Sequence, residues 1–192
     1  MKYARVFLPL VLALIVGACA KPPQSDIDAA RAAVANAAKN ADIIAYAPET
    51  LKSAQDKLAQ METELTAKHY DKVKALALDA KATAGTAAND AARGKEKAQA
   101  DATALIAALK QALPDAAKKL AAAKKVRGIK LDFAGLKTQL SGAQAAVADA
   151  DRDLTDGNFA TALQKATAVQ AQLSDGEKAI ADAIQAARNR KK

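Results

Sequence analysis

The sequence predicts an all-α protein of elongated antiparallel helical hairpins, a coiled-coil-like bundle rich in alanine. Three observations predict it. Alanine fills 54 of 192 positions, aromatic residues are 3% of the chain and tryptophan is absent, so helices form readily while each buried side chain removes little apolar area from water. Apolar residues recur at alternating steps of three and four along most of the chain, which is a heptad seam. Prolines and one Asp-Gly-Asn tripeptide punctuate those seams. In so thin a core, close approach of helix backbones has to supply the dispersion contacts that large side chains usually provide.

The first element stands apart from the bundle. Lys2 and Arg5 precede an unbroken apolar run from Val6 to Val16, followed by Gly17, Ala18 and the only cysteine, Cys19. A basic start, a short apolar stretch and small residues make a secretory signal peptide, and the run is well short of the ~20 residues a membrane-spanning helix needs. With the cysteine directly after the small pair, residues 13–20 resemble the lipobox of bacterial lipoproteins. The resemblance implies removal of residues 1–18 by cleavage between Ala18 and Cys19, a diacylglycerol on the Cys19 sulfur, and acylation of the new amino terminus. Those chains exceed the two signals that stable anchoring takes. An ordinary cleaved signal would instead leave a lone thiol in an oxidising compartment. Ala20 rather than an aspartate follows, which under enterobacterial sorting points to the outer membrane, facing the periplasm.

Residues 19–25 then form a lipidated cysteine and tether, which Pro22 and Pro23 keep extended. Ser25 or Asp26 can cap a helix whose seam reads Ile27, Ala30, Val34, Ala37, Ala41 and Ile44, ending near Tyr46 because Pro48 disfavours helix at Ala47. Pro48 suits the first turn of the next helix, with Leu51, Ala54, Leu58, Met61 and Leu65 inward. After a turn at Lys68, His69 and Tyr70, the seam continues through Val73, Ala77, Ala80, Ala84, Ala87 and Ala91, then Leu105, Leu109 and Leu113. Pro114 is expected to close this helix, with a short helix from Asp115 to about Lys125 and a break at Gly128. The last third carries Leu136, Leu140, Ala143, Val147, Ala150 and Leu154, a turn at Asp156-Gly157-Asn158, and a helix from Phe159 towards Arg188 with Ala162, Ala166, Val169, Leu173, Ile180 and Ile184 inward. Two regions are expected, 26–112 and 113–192, each a helical hairpin region, the second ending in a basic tail.

The hairpins repeat at an offset of 89 residues: Leu51 matches Leu140, Leu65-Thr66 matches Leu154-Thr155, and Tyr70 matches Phe159. Where the second has Val169, Leu173 and Ile180, the first has Ala80, Ala84 and Ala91. The second should therefore be sturdier, and the stretch from Ala82 to Gly94 either mobile or in need of a partner helix.

Three segments, Ile27-Asp28-Ala29-Ala30-Arg31-Ala32-Ala33-Val34, Ala45-Tyr46-Ala47-Pro48-Glu49-Thr50-Leu51 and His69-Tyr70-Asp71, resemble a family of bacterial envelope lipoproteins known as domain of unknown function 4398. The similarity spans roughly residues 26–100, and the Ala-Tyr-Ala-Pro-Glu-x-Leu segment is its most specific part. The resemblance implies a lipid-anchored, all-helical periplasmic module, in other proteins sometimes joined to a peptidoglycan-binding domain. It assigns no activity and supplies no site residues.

Nothing in the chain points to catalysis, and no cofactor is expected apart from the covalent lipid on Cys19. His69, the only histidine, sits in a predicted turn, and carboxylates such as Glu62 and Glu64 diverge on a helix. No metal-ligand spacing and no glycine-rich phosphate loop is present. Gly157 to Leu163 resembles a tetratricopeptide turn, but the 89-residue offset is far from that repeat's period of ~34. Tyr70 and Phe159 read as plugs at the hairpin ends. Without Lys2 and Arg5 the chain keeps 27 basic and 21 acidic residues, and much of the excess lies in Arg188, Arg190, Lys191 and Lys192. That tail suits a helix C-terminus and is a candidate contact for anionic headgroups or peptidoglycan. It also resembles the end of the major outer-membrane lipoprotein of enterobacteria, whose last lysine is joined to peptidoglycan, which makes Lys192 the candidate amine. Nucleic acid is not an expected partner, since the tail is exported and lacks interleaved aromatics. The expected role is a membrane-anchored envelope scaffold, spacer or binding adaptor, with an envelope protein, peptidoglycan or a second copy as partner. A periplasmic holdase chaperone is the alternative.

Overall fold

The computed structural model describes residues 21–190. Ala18, Cys19, Lys191 and Lys192 lie outside that range. Six helices follow: α1 Gln24–Ala37, α2 Ala41–Tyr46, α3 Pro48–Thr66, α4 Tyr70–Ala123, α5 Phe133–Thr155 and α6 Phe159–Asn189. No strand occurs among the described residues, and none of these helices is long and apolar enough to cross a membrane. The architecture is an all-α bundle of antiparallel hairpins, as the seams require.

The spine is α4. Its 54 residues run about 80 Å at ~1.5 Å per residue. α1, α2 and α3 pack on its first half, α5 and α6 on its second. The expected closure at Pro114 is corrected: the helix continues through it to Ala123. Pro114 is exposed, whereas Leu113, Ala116 and Leu120 around it are buried. Proline removes one backbone bond and crowds the carbonyl four residues back, and packing of the neighbouring turns outweighs that local loss.

A second correction concerns the first helix, which is two. α1 ends at Ala37, and Asn40 starts α2 by accepting from the backbone N–H of Asp42 (2.9 Å) and Ile43 (3.3 Å). This satisfies N–H groups that a new helix start leaves orphaned. The break rotates the seam, so Ile43 is buried while Ile44 is 52% exposed and Ala41 lies on the surface. α1 also begins at Gln24, slightly ahead of the expected caps, with Asp26 in its first turn.

The duplication is structural. At the end of α3 the Lys68 N–H donates to the Leu65 carbonyl and the His69 N–H to Glu64; at the end of α5 Gly157 donates to Leu154 and Asn158 to Asp153. Both are Schellman ends, and both place one residue in the left-handed region: Lys68 at φ 61° and Gly157 at φ 80°. Tyr70 and Phe159 then open α4 and α6.

Buried positions correspond as well, with Ala54, Val73 and Ala77 matched by Ala143, Ala162 and Ala166. The seams thus close within the chain. Ala80, Ala84 and Ala91 are small where α6 has Val169, Leu173 and Ile180 because the first half of α4 carries three helices rather than two. α1 and α2 are the partners that the alanine stretch needs.

Ion pairs bind the layers. Arg31 of α1 grips Glu62 of α3 through two bonds of 2.7 and 2.8 Å. Lys57 of α3 reaches Asp79 of α4 at 2.7 Å. In the second half Lys110 pairs with Asp151 and Lys119 with Glu177, each at 2.8 Å. No polar side chain is fully buried among the described residues.

Candidate functional site

Two places in the fold concentrate chemistry. One is the junction of the halves, around Tyr46. The Ala45–Leu51 segment leaves α2 and enters α3 there, with Pro48 at the first position of α3. The Tyr46 carbonyl lies directly over Gly94 of α4, with no room for a side chain between them. Its ring carries the Lys95 ammonium at 5.8 Å from the centroid, and Lys95 also pairs with Asp42 at 3.1 Å. The Tyr46 hydroxyl stands 3.5 Å from the backbone N of Ala160, at the start of α6, where Asn158 offers no side-chain cap. One tyrosine therefore touches both halves. The sequence marked this segment as a helix boundary and by resemblance but not as a junction, because the Gly94 and Ala160 contacts span distances in sequence that periodicity does not reach.

The other place is the far end of α4. Chain entry and exit are at opposite ends of the spine: α1 lies beside the α3–α4 turn, as the Arg31–Glu62 pair shows, whereas α6 runs with α4 towards the end of α4. There Leu120, Ala123 and Ile180 form a small cluster with half-buried Ile129, Leu131, Phe133, Leu136, Leu140 and Ile184. The loop from 124 to 132 folds into it, turning at Gly128 with φ 79°, and Asp132 caps α5 by accepting from Gly135 N at 2.9 Å. Ala187 is buried, so the last turn of α6 is still packed.

Arg188 and Arg190 project from this end into solvent. Arg190 Nε donates to the Ala186 carbonyl at 3.2 Å, capping its own helix. The structure adds Lys124, Lys125, Arg127 and Lys130 of the loop to these two arginines, all exposed. Sequence reading missed them because it expected the region to be a short helix and a break; four cations within seven residues, with no carboxylate among them, were the available signal. Two apolar grooves flank the cluster. Leu120, Phe133 and Leu140 line one of about 380 Å³ between α4 and α5, with Lys124 and Lys137 beside it. Ile180 and Ile184 line another of about 550 Å³ between α4 and α6, with Lys119 and Lys178.

His69 is at the opposite end of α4, exposed, with Nδ1 2.5 Å from Glu64 Oε2 and Lys72 3.4 Å from the other oxygen. The His69 hydrogen bond, more than Lys72, holds the Glu64 carboxyl below the usual range. No group of three His, Cys, Asp or Glu side chains among the described residues converges as metal ligands. Tyr70 is half-buried at the start of α4 and Phe159 at the start of α6.

No curated protein and no solved structure matches the chain. A protein-family comparison does, over residues 25–104, with the family described as Domain of unknown function (DUF4398). The matched region takes in α1, α2 and α3 and stops past the midpoint of α4, in the helix on which the rest of the chain packs. Residues 25–104, with the Tyr46 junction inside them, belong to the DUF4398 domain family.

Proposed function

We propose that the mature chain is a lipid-anchored envelope spacer, held by a diacylglycerol on Cys19 at one end of the α4 spine and presenting its basic end, Arg188 to Lys192, to a partner at the other. One observation carries the reading: the chain enters the fold at one end of an ~80 Å helix and leaves it at the other. A continuous helix packed on two sides transmits position, which a flexible linker of the same length does not. Under this reading the protein works without catalysis, in the outer membrane and facing the periplasm. Cell fractionation followed by mass spectrometry of the mature protein tests it. The expected product begins at Cys19, carries its acyl chains and sediments with membranes. An unmodified, freely soluble product refutes it, and a muropeptide on Lys192 would identify the distal partner as peptidoglycan.

The two apolar grooves favour a second reading, a holdase that shields unfolded envelope proteins. Aggregation of an unfolded outer-membrane protein, followed by light scattering, decides it. No suppression at several-fold excess of the full chain removes this reading.

A further inference from the structure

We propose that the distal end of the bundle binds anionic membrane surfaces through their phosphate headgroups. The binding stands on the tip itself; the bridging of two membranes that it would produce rests on the spacer reading above.

Unpaired positive charge is unevenly distributed over the bundle. Along most of the bundle, cations are matched: Arg31, Lys52, Lys57, Lys72, Arg93, Lys95, Lys97 and Lys110 each lie within ion-pair distance of a carboxylate. Among the described residues most of the cations without such a partner gather at one end. Lys124, Lys125, Arg127, Lys130, Lys137, Lys178, Arg188 and Arg190 are all there and all exposed. The remaining unmatched ones, Lys21, Lys39, Lys68, Lys74 and Lys81, are scattered over the first half. At the tip itself Glu177 is paired with Lys119, so Asp132, which keeps its charge while capping α5, Asp175 and Asp182 are the carboxylates left to offset eight cations. Like charges gathered at one end repel one another, a cost that a counter-charged surface removes.

The arrangement suits a headgroup layer better than a discrete ligand. The cations spread over the loop, α5 and α6 instead of converging on one cavity, and lipids can diffuse laterally to meet each of them. Ile129 and Leu131, which alternate with the loop cations, pack into the cluster with Leu120 and Ile184. They hold the loop in shape, so the cations meet a surface without first paying the entropy of ordering the backbone. Phe133 is packed in the same cluster, which removes the ring that stacking on bases would need.

The test uses the mature full-length chain, reconstituted through its own lipid into phosphatidylcholine donor vesicles. These are mixed with acceptor vesicles of phosphatidylcholine alone or of phosphatidylcholine with phosphatidylglycerol, and clustering is read by light scattering. Clustering is expected only with the anionic acceptors, and raising salt should abolish it. Each basic side chain near an anionic surface contributes roughly fivefold. Joint change of Lys124→Gln, Lys125→Gln, Arg127→Gln and Lys130→Gln should therefore weaken clustering by on the order of several hundredfold. The matched set Lys21→Gln, Lys39→Gln, Lys74→Gln and Lys81→Gln, which removes the same charge elsewhere, should leave it intact. Circular dichroism checks that both variants remain helical.

Equal loss in both sets, no loss in the tip set, or binding to purified peptidoglycan sacculi without binding to anionic vesicles overturns the proposal. If the chain does not enter the donor vesicles, the spacer reading fails, while co-flotation of the unanchored chain with anionic but not neutral vesicles still supports the tip.

Discussion

Gly85 and Gly94 occupy the same helix, and the same substitution at each should move stability in opposite directions. Glycine in a helix interior costs about 1 kcal/mol relative to alanine, so alanine gains that amount wherever its methyl group fits. At Gly85 the position is exposed and a Cβ meets nothing within 4 Å. Gly85→Ala should therefore stabilise the chain by about 1 kcal/mol, raising Tm by about 2–4 °C. At Gly94 a Cβ would stand 3.2 Å from both the carbonyl carbon and the Cβ of Tyr46, and closer still to its carbonyl oxygen. Those are mostly backbone atoms and cannot rotate away, so α2 has to lift from α4.

Such overpacking costs typically ~1–3 kcal/mol, which outweighs the ~1 kcal/mol of helix propensity. Lifting α2 also draws the Tyr46 hydroxyl from Ala160 and Asp42 from Lys95. Gly94→Ala should thus fall below the parent, by up to about 2 kcal/mol. Urea unfolding followed by far-UV circular dichroism, with thermal melts alongside, measures both. A Gly94→Ala protein as stable as Gly85→Ala would show that α2 does not seat on α4 as described.

Three further outcomes follow from named contacts. Lys68 occupies a left-handed position that Gly157 fills in the second hairpin, so Lys68→Gly should stabilise by about 0.5–1 kcal/mol and Gly157→Ala should destabilise by about 1 kcal/mol, both read by chemical unfolding. Pro114→Ala restores a backbone donor within an unbroken helix and should stabilise by up to about 3 kcal/mol in the same assay; a loss of stability would mean that the neighbouring packing depends on the proline's local geometry. The hydrogen bond from Arg31, more than its charge, lowers the Glu62 carboxyl, and Thr50 followed by Arg93 lowers Asp90. Depressed carboxyls favour the folded state above the ordinary carboxylate range, and that contribution disappears as pH falls through their folded values. Stability should therefore be flat near neutral pH and drop on acidification, and Arg31→Ala should flatten the acid limb assigned to Glu62; a melt series against pH that is identical for parent and variant would refute the pairing.

Much of the bundle was legible because helical burial is periodic. Val73, Ala77, Ala80, Ala84, Ala87 and Ala91 follow one spacing and are all buried. The α5–α6 turn at Gly157 is written in residue types that tolerate positive φ. Two failures were failures of local reasoning. Pro114 reads as a terminator because a proline costs one hydrogen bond locally, whereas the buried residues on both sides belong to a packing that the local sequence does not display. Asn40 reads as an ordinary polar residue inside a seam, and only its side-chain bonds to Asp42 and Ile43 reveal a new helix start. The basic tip divides the same way: Arg188 and Arg190 were visible as a tail, but their association with the 124–130 loop depends on how α6 returns along α4.

By itself the sequence determined the fold class, the hairpin repeat and its register, because each follows from residue type and spacing along one helix or turn. The signal and lipid expectation at Ala18 and Cys19 also rests on local order alone. Tertiary structure decided that α4 is one continuous spine shared by both halves, that Tyr46 lies against Gly94 and reaches Ala160, and that most of the unmatched cations gather at the far end. Those are consequences of which surfaces meet, a property of the packed chain as a whole that no local spacing encodes.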